Sequence, residues 1–426
     1  MKKYEAYKKT GIEWIGQIPK GWSVVPLKYY LSLKGRIGWN GLKSEEFQEK
    51  SYAYLVTGQD FNSDVVNWEK CYQINKERYD EDPFIQLENG DLLVTKDGTI
   101  GKVAKVVNLD KPACLNSGIF VVKQTKGVFE QNYLYWVLVS NQLKEFVGFN
   151  STGSTIAHLY QNVFENMPLT VPPLTEQKAI ASYLDYKVGQ IDASISAINT
   201  QIDDLKSYRQ SIISEAVTKG LDKNVEMKDS GIDKFPMIRF NWNTSKLKYI
   251  ASIRSGSALP TNNIKEDALY EVYGGNGCMG KADEYNTESP AIIIGRVGAL
   301  CGNVHLIKTK KWVTDNALIL NIKRDVTYEY LYYYLTAYDL NTLNSSNAQP
   351  LITGTKVLDV VTPMPSLNEQ IMIANYLDDK TSMIDETIDQ ISVQIVELKS
   401  YKSSLITEAV TGKIDLRDWK PKEEKV

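Results

Sequence analysis

Leu184, Ile191, Ile198, Leu205 and Ile212 recur every seven residues, and Val188, Ile195 and Ile202 each fall four residues after a member of that row. A second stretch repeats the pattern with Leu377, Ile384, Ile391, Leu398 and Leu405, joined by Ile388 and Ile395. Alternating spacings of three and four over four heptads predict two long helices, each with an apolar coiled-coil seam. Start signals stand where such helices should open: Thr175-Glu176-Gln177 after Pro172-Pro173, and Asn368-Glu369-Gln370 after Pro365. Gly220 and Gly412 mark the far ends. Residues 176–219 would span roughly 65 Å of helix. Both seams carry a cation at the same position, Arg209 and Lys402, and a polar residue there can select register at some cost in stability. An ordinary helical bundle would show the same seam; what favours a spacing device is that matched helices follow unlike segments.

The two helices are copies. Residues 172–222 and 365–415 align without a gap at an offset of 193, with 27 of 51 positions identical. Upstream, residues 10–30 match 230–250 at an offset of 220 through Gly11/Gly231, Ile12/Ile232, Trp22/Trp242, Leu27/Leu247, Lys28/Lys248 and Tyr29/Tyr249. The first copy therefore carries 27 more residues between these flanks. Each unit reads as an entry segment, a variable interior and a shared arm.

The interiors alternate strands and Gly-bounded turns. GDLLVTKDGTIGKVAKV (90–106) resembles AIIIGRVGALCGNVHLI (291–307), an apolar strand, a turn and a second strand. A further strand follows each, through Asn116 and Asn316, then an aromatic helix (132–139 and 328–335) and a polar tract (150–158 and 344–352). The expected fold class is α+β: two mixed strand-rich domains, each followed by a long helix, the two helices pairing as a coiled coil.

Composition narrows the class without naming it. Of 426 residues, 43% are hydrophobic and 24% charged, as in soluble globular proteins. No stretch approaches the ~20 apolar residues of a membrane span, and the first residues lack a signal-peptide core. Cys71, Cys114, Cys278 and Cys301 lie far apart with no CxxC, which suits neither a zinc knuckle nor a disulfide framework. A cytoplasmic, metal-free chain is expected. Net charge is −3, and residues 23–170 carry 15 Lys and Arg against 17 Asp and Glu. If the chain grips nucleic acid, the cations must be locally placed or come from partner subunits.

Several catalytic readings fail on their own terms. Residues 275–280 fit GxGxxG, but no amphipathic helix follows and no acidic residue stands at the ribose position. His158 and His305 occupy non-equivalent places, leaving histidine chemistry without support. Asp91 and Lys96 superficially suggest a nuclease pair, but the second copy lacks the acid. No catalytic residue is assigned. Reading base edges instead needs Arg, Lys, Asn, Gln, Ser and Thr on loops. In the first copy the candidates are Lys34, Arg36, Asn40, Thr57, Gln59, Lys96, Thr99, Ser151, Thr152, Ser154 and Thr155. In the second they are Arg254, Ser255, Ser257, Asn262, Asn263, Tyr273, Asn276, Arg296, Asn347 and Gln349. Each taken singly could be a solvated turn residue; as a set they recur at equivalent places in both halves.

The entry segments GIEWIGQIP and GIDKFP, the turns GDLLVTKDGTIGKV and IIIGRVGALCGNV, the YGGNGCMG segment and the PLTEQ/SLNEQ arms ending in EAVTKG/EAVTGK resemble the specificity (S) subunit of type I restriction–modification enzymes over nearly the whole chain. The resemblance implies target-recognition domains at 1–172 and 223–365, spacer helices at 173–222 and 366–415, and a C-terminal tail at 416–426. Each domain would read one half of a split DNA site, and the antiparallel helices would fix the unspecified spacing between the halves. Two methyltransferase subunits would bring S-adenosylmethionine, and motor-nuclease subunits would bring ATP and magnesium, in defence against foreign DNA; the chain itself would hold no cofactor. The second entry segment departs from the first in lacking the Trp14-containing stretch. A coiled-coil scaffold with two peptide-binding domains is the competing reading.

Overall fold

The computed structural model describes residues 2–36, 42–150, 158–222, 224–298, 300–344 and 350–420. Its contacts fall into two units: Met1–Ala197 with Gln394–Val426, and Ile198–Val393. The division runs through both long helices, Leu174–Lys219 and Leu367–Val410, so each unit contains the first half of one arm and the second half of the other.

In the first unit a six-stranded sheet runs in the order Leu31–Lys34, Ile119–Gln124, Leu92–Thr95, Val103–Lys105, Val65–Val66, Phe61–Asn62. Its first four strands are antiparallel neighbours. Both faces are buried. Leu92, Val94, Phe120 and Val122 face a core shared with helix Gln131–Val139 and the arms, while Leu93, Ile119 and Val121 face a core closed by the three-stranded sheet Ala113–Leu115, Ala53–Val56, Tyr72–Ile74. Alternation between two apolar cores is why these strands read as continuous hydrophobic runs.

The second unit repeats the plan on a smaller scale. Its four-stranded sheet has the order Ala251–Ser255, Ala317–Ile322, Ala291–Gly295, Val304–Ile307, all antiparallel. Ile292, Ile294, Leu318 and Leu320 face the helical side; Ala291, Ile293, Ala317 and Ile319 face a small core beside the sheet of strands Gly277–Ala282, Tyr270–Gly274 and Trp312–Val313. The glycines at 275–280 belong to the hairpin joining two of these strands. The strands that the sequence runs through Asn116 and Asn316 begin later, at Ile119 and Ala317, because Ser117-Gly118 and Asp315-Asn316 turn the chain just before them. Equivalent backbone bonds, Lys96 N–H to Gly118 and Arg296 N–H to Asn316, pair the copies, with the donors at an offset of 200 and the acceptors at 198. Twenty of the 27 extra residues therefore precede Lys96, where the hairpin Phe61–Asn62/Val65–Val66 extends the first sheet.

Within each unit the arm halves pair antiparallel along the expected seam. In the first unit Leu184, Val188, Ile191 and Leu405 are buried and Ile195 and Leu398 half-buried in one core. In the second, Ile212, Leu377 and Ile384 are buried in one core with Leu205 and Ile388 half-buried against it, and Ile202 and Ile391 are buried as well. Ile198 and Ile395 are half-buried. The seam cations meet the same aspartate of the facing arm: Lys402 Nζ lies 2.7 Å from Asp192, and Arg209 Nη2 donates to Asp385 at 3.2 Å. The residue numbers of each pair total 594, so both halves share one register. These exposed-rim pairs are each worth about 0–1 kcal/mol and specify alignment more than stability.

The likeness of the two arm starts has a packing cause. Gln177 is buried, accepts the Glu130 N–H at 2.8 Å, and donates to the carbonyls of Val128 (3.1 Å) and Pro172 (2.9 Å). Gln370 repeats this with Thr327 N–H (2.8 Å), Asp325 (3.1 Å) and Pro365 (3.0 Å). Glu176 and Glu369 accept the indole N–H of Trp22 (2.9 Å) and Trp242 (3.4 Å). Each entry tryptophan also meets the terminal glycine of the other arm. A Cβ on Gly412 (φ +69°) would come within 3.1 Å of Trp22, and one on Gly220 (φ +79°) within 3.2 Å of Trp242. At Gly412 the same Cβ would lie 2.4 Å from Pro19, which leaves no room for a side chain, and at both positions the left-handed backbone itself favours glycine. Trp14 packs edge-on to Phe146 and tilted against Phe149; its counterpart Lys234 instead donates to the carbonyls of Tyr338 and Asp339, capping the second aromatic helix.

Candidate nucleic-acid interface

In the first unit, loops leaving the ends of the strands converge at one edge of the sheet. Thr57–Gln59 follows strand Ala53–Val56, and a Cβ on Gly58 would sit 3.1 Å from Thr95. The turn 95–101 is closed by the Gly101 N–H on the Thr95 carbonyl (2.9 Å), and the Lys96 N–H reaches Gly118 (2.9 Å). His158 bridges to Asp97 by both backbone and side chain. The second unit has the same construction. Arg254–Ser257, Gly275, Gly295–Gly298, Thr314–Asn316 and Leu351 meet, with the Arg296 N–H on Asn316 (3.0 Å) and the Ile352 N–H on Arg296 (2.9 Å). Backbones touch so closely here that a Cβ on Gly295 would lie 2.2 Å from the Gly275 carbonyl, and one on Gly256 2.2 Å from Thr314.

Lys96 and Arg296 occupy the equivalent position, at the exit of the central strand. Lys96 Nζ lies 4.9 Å over the Phe120 ring, and burial holds its amine below the ordinary lysine range. Arg296 is half-buried, with Nη1 3.4 Å from Ser255 Oγ. A cation whose stem is packed and whose head sits at a loop cluster is pre-organised for an anion or a base edge. Sequence comparison of the two copies pairs these residues only once the turn lengths are known, since the second turn carries one residue more.

The other candidates are placed unevenly. Lys34, Gln59 and Thr99 are exposed at the same edge, Lys34 lying over the Phe84 ring. Thr57 is half-buried, with its N–H and hydroxyl both on Asp60 at 2.7 and 2.8 Å. Arg36 is a correction: it is 1% exposed, and its Nε donates to the Leu115 carbonyl at 3.0 Å, so it braces the strand exit from inside and reaches no surface. In the second unit Ser255 and Ser257 are exposed in the cluster, while Arg254 donates to the Asn286 carbonyl at 2.6 Å. Asn276 is exposed and accepts from Asn303 at 3.4 Å. Tyr273 is half-buried against His305, its phenol pushed up by burial. Asn262 and Asn263 lie on the separate turn Thr261–Asn263. Asn40, Ser151, Thr152, Ser154, Thr155, Asn347 and Gln349 lie outside the described residues.

Among the described residues no cluster of His, Cys, Asp and Glu could hold a metal ion, and no helix is long and apolar enough to cross a membrane. Asp91 and Lys96 flank opposite ends of strand Leu92–Thr95, and Asp91 pairs with Lys123 at 3.2 Å.

The profile of the family described as "Type I restriction modification DNA specificity domain" matches residues 20–204 and 240–397, most of the chain. The chain is 24% identical to the type I restriction enzyme MjaVIII specificity subunit of Methanocaldococcus jannaschii, covering 94% of this chain and 95% of that one. It is 18% identical to the EcoKI specificity subunit of Escherichia coli K12, over 94% and 90%. Among solved structures, a chain from work on complex assembly and conformational transition of the type I restriction–modification system shares the fold, with a TM-score of 0.70 at 16% identity over 93% of this chain and 99% of that one.

Proposed function

The chain belongs to the type I restriction modification DNA specificity family, and from that premise we propose that it is the sequence-reading subunit of a type I restriction–modification complex. Each unit reads one half of a bipartite site with its loop cluster, and the paired arms fix the number of unspecified base pairs between the halves. The observation that carries this reading is the repeated edge: the same strand exits and the same placed cation, Lys96 or Arg296, surrounded by loops that differ between the copies. A common frame with unlike contents is what two different half-sites require. The chain supplies no catalytic group; two methyltransferase subunits bring S-adenosylmethionine, and motor-nuclease subunits bring ATP and magnesium. These partners also complete the positive surface that a chain of net charge −3 does not offer to duplex DNA. The complex works in the cytoplasm. A peptide-binding scaffold is not favoured, since family membership accounts for both copies at once.

The test is a genome-wide map of methylated adenines in cells with and without the chain. A split, asymmetric motif should disappear on deletion, and exchanging residues 31–170 for those of a relative should change one half of it. A change in both halves, or no loss of motif, refutes the reading.

A further inference from the structure

In the first unit the terminal segments of the chain close the corner where the arms meet the entry tryptophan. Tyr4 stands edge-on to Trp22 with centroids 5.8 Å apart, and its hydroxyl donates to Glu176 at 2.9 Å. Arg417 lies over the Tyr4 ring, and Trp419 packs edge-on against Tyr183 at 5.3 Å, leaving Tyr183 4% exposed. In the second unit the linker 220–226 stands in the corresponding place. Asn224 answers to Tyr4 by strand register, since Met227–Asp229 corresponds to Tyr7–Lys9. It answers to Arg417 by the turn, because its N–H bonds Asp222 (3.0 Å) as that of Arg417 bonds Asp415 (3.2 Å). Trp419 answers to Glu226, and no described residue of this linker carries an aromatic side chain.

What remains in the second unit is a cavity of about 380 Å³ lined by Gly220, Leu221, Arg239, Trp242, Glu369 and Met372 among others. Beside it Tyr376, the equivalent of Tyr183, is 37% exposed, and Met372 is 60% exposed. We propose that this cavity is a seat for an aromatic side chain presented by a segment of a partner protein. The first unit supplies the chemistry of the occupant: a ring edge on the entry indole, a donor to the arm's glutamate and apolar cover over the arm's tyrosine. Arg239 already stands 3.6 Å from Glu369, so the seat favours a neutral phenol over a second cation. Apolar side chains left uncovered beside a shaped pocket are the usual mark of a protein contact. The assignment is independent of what the loop clusters read.

The probe is a labelled synthetic peptide copying residues 2–9, titrated into the full chain. Saturable binding of one equivalent is expected. It should weaken at least tenfold with Met372→Glu, and equally when the peptide residue copying Tyr4 becomes alanine. Lys178→Glu, at the place on the first arm equivalent to the exposed Ile371, should leave it unchanged. Met372 is mostly in solvent, and an unaltered thermal midpoint of Met372→Glu shows that the variant folds. Absence of saturable binding at 1 mM peptide, or binding indifferent to Met372→Glu, overturns the proposal. Sedimentation showing a dimer of the chain that Met372→Glu dissolves also overturns it, by making a second copy the occupant.

Discussion

Replacing Gln177 by leucine removes a side chain of similar size that makes three bonds to backbone groups, to Glu130, Val128 and Pro172. Leucine fills the volume but strands one N–H and two carbonyls. A buried polar group left without a partner costs about 1–3 kcal/mol. Three such groups would sum to about 3–9 kcal/mol; Pro172 is buried and the other two positions are half-buried, so about 3–5 kcal/mol is expected. For a unit of this size that loss lowers the thermal midpoint on the order of 10 °C. Two units need not unfold together, so the assay is hydrogen exchange followed along a denaturant series, which reports each unit separately. Protection should fall in helix Gln131–Val139 and the start of the first arm, while helix Tyr328–Tyr338 keeps its own. Gln370→Leu should give the mirror result. A loss below about 1 kcal/mol, or equal loss in both units, would refute the argument that these glutamines clamp each domain to its own arm.

Two further outcomes follow from the site and the thiols. Lys96→Ala and Arg296→Ala should each cost the assembled complex about 1–3 kcal/mol of DNA binding and relax one half-site only, whereas Arg36→Ala should lower stability and leave the half-site preference intact; competition binding against half-site variants distinguishes these. Burial pushes the Cys71 thiol up to about 12 and the Cys114 thiol up to about 11. A raised value keeps the sulfur protonated at pH 8, so with ~10⁻³ or less as thiolate these two resist alkylation, and the exposed Cys278 should be the single thiol labelled rapidly in the native chain. Fast labelling of Cys71 or Cys114 without denaturant would contradict that.

Periodic information survived from sequence to structure because it is set by nearest neighbours. Heptad spacing placed the arms and their seam, and duplication placed the equivalent strands, turns and aromatic helices. Arg36 was misplaced for a related reason. A cation two residues beyond a strand reads as a loop residue, and only the three-dimensional path shows the Leu115 carbonyl waiting for it. Glu176-Gln177 reads as a helix start and does open the helix Leu174–Lys219; only the structure shows that both side chains also make long-range bonds, to Trp22 and to Glu130.

By itself the sequence determined two copies, two long amphipathic helices and strand-rich interiors, since repeat, period and turn chemistry are local properties written in order along the chain. Tertiary structure alone decided which residues share a surface. It brought Lys96 and Arg296 to matching edges, turned Arg36 inward, and covered Tyr183 with Trp419 while leaving Tyr376 bare. The physical reason is that exposure and contact depend on partners far away in sequence: Tyr4 and Trp419 close one corner, and at the other no described residue of the linker 220–226 brings an aromatic ring.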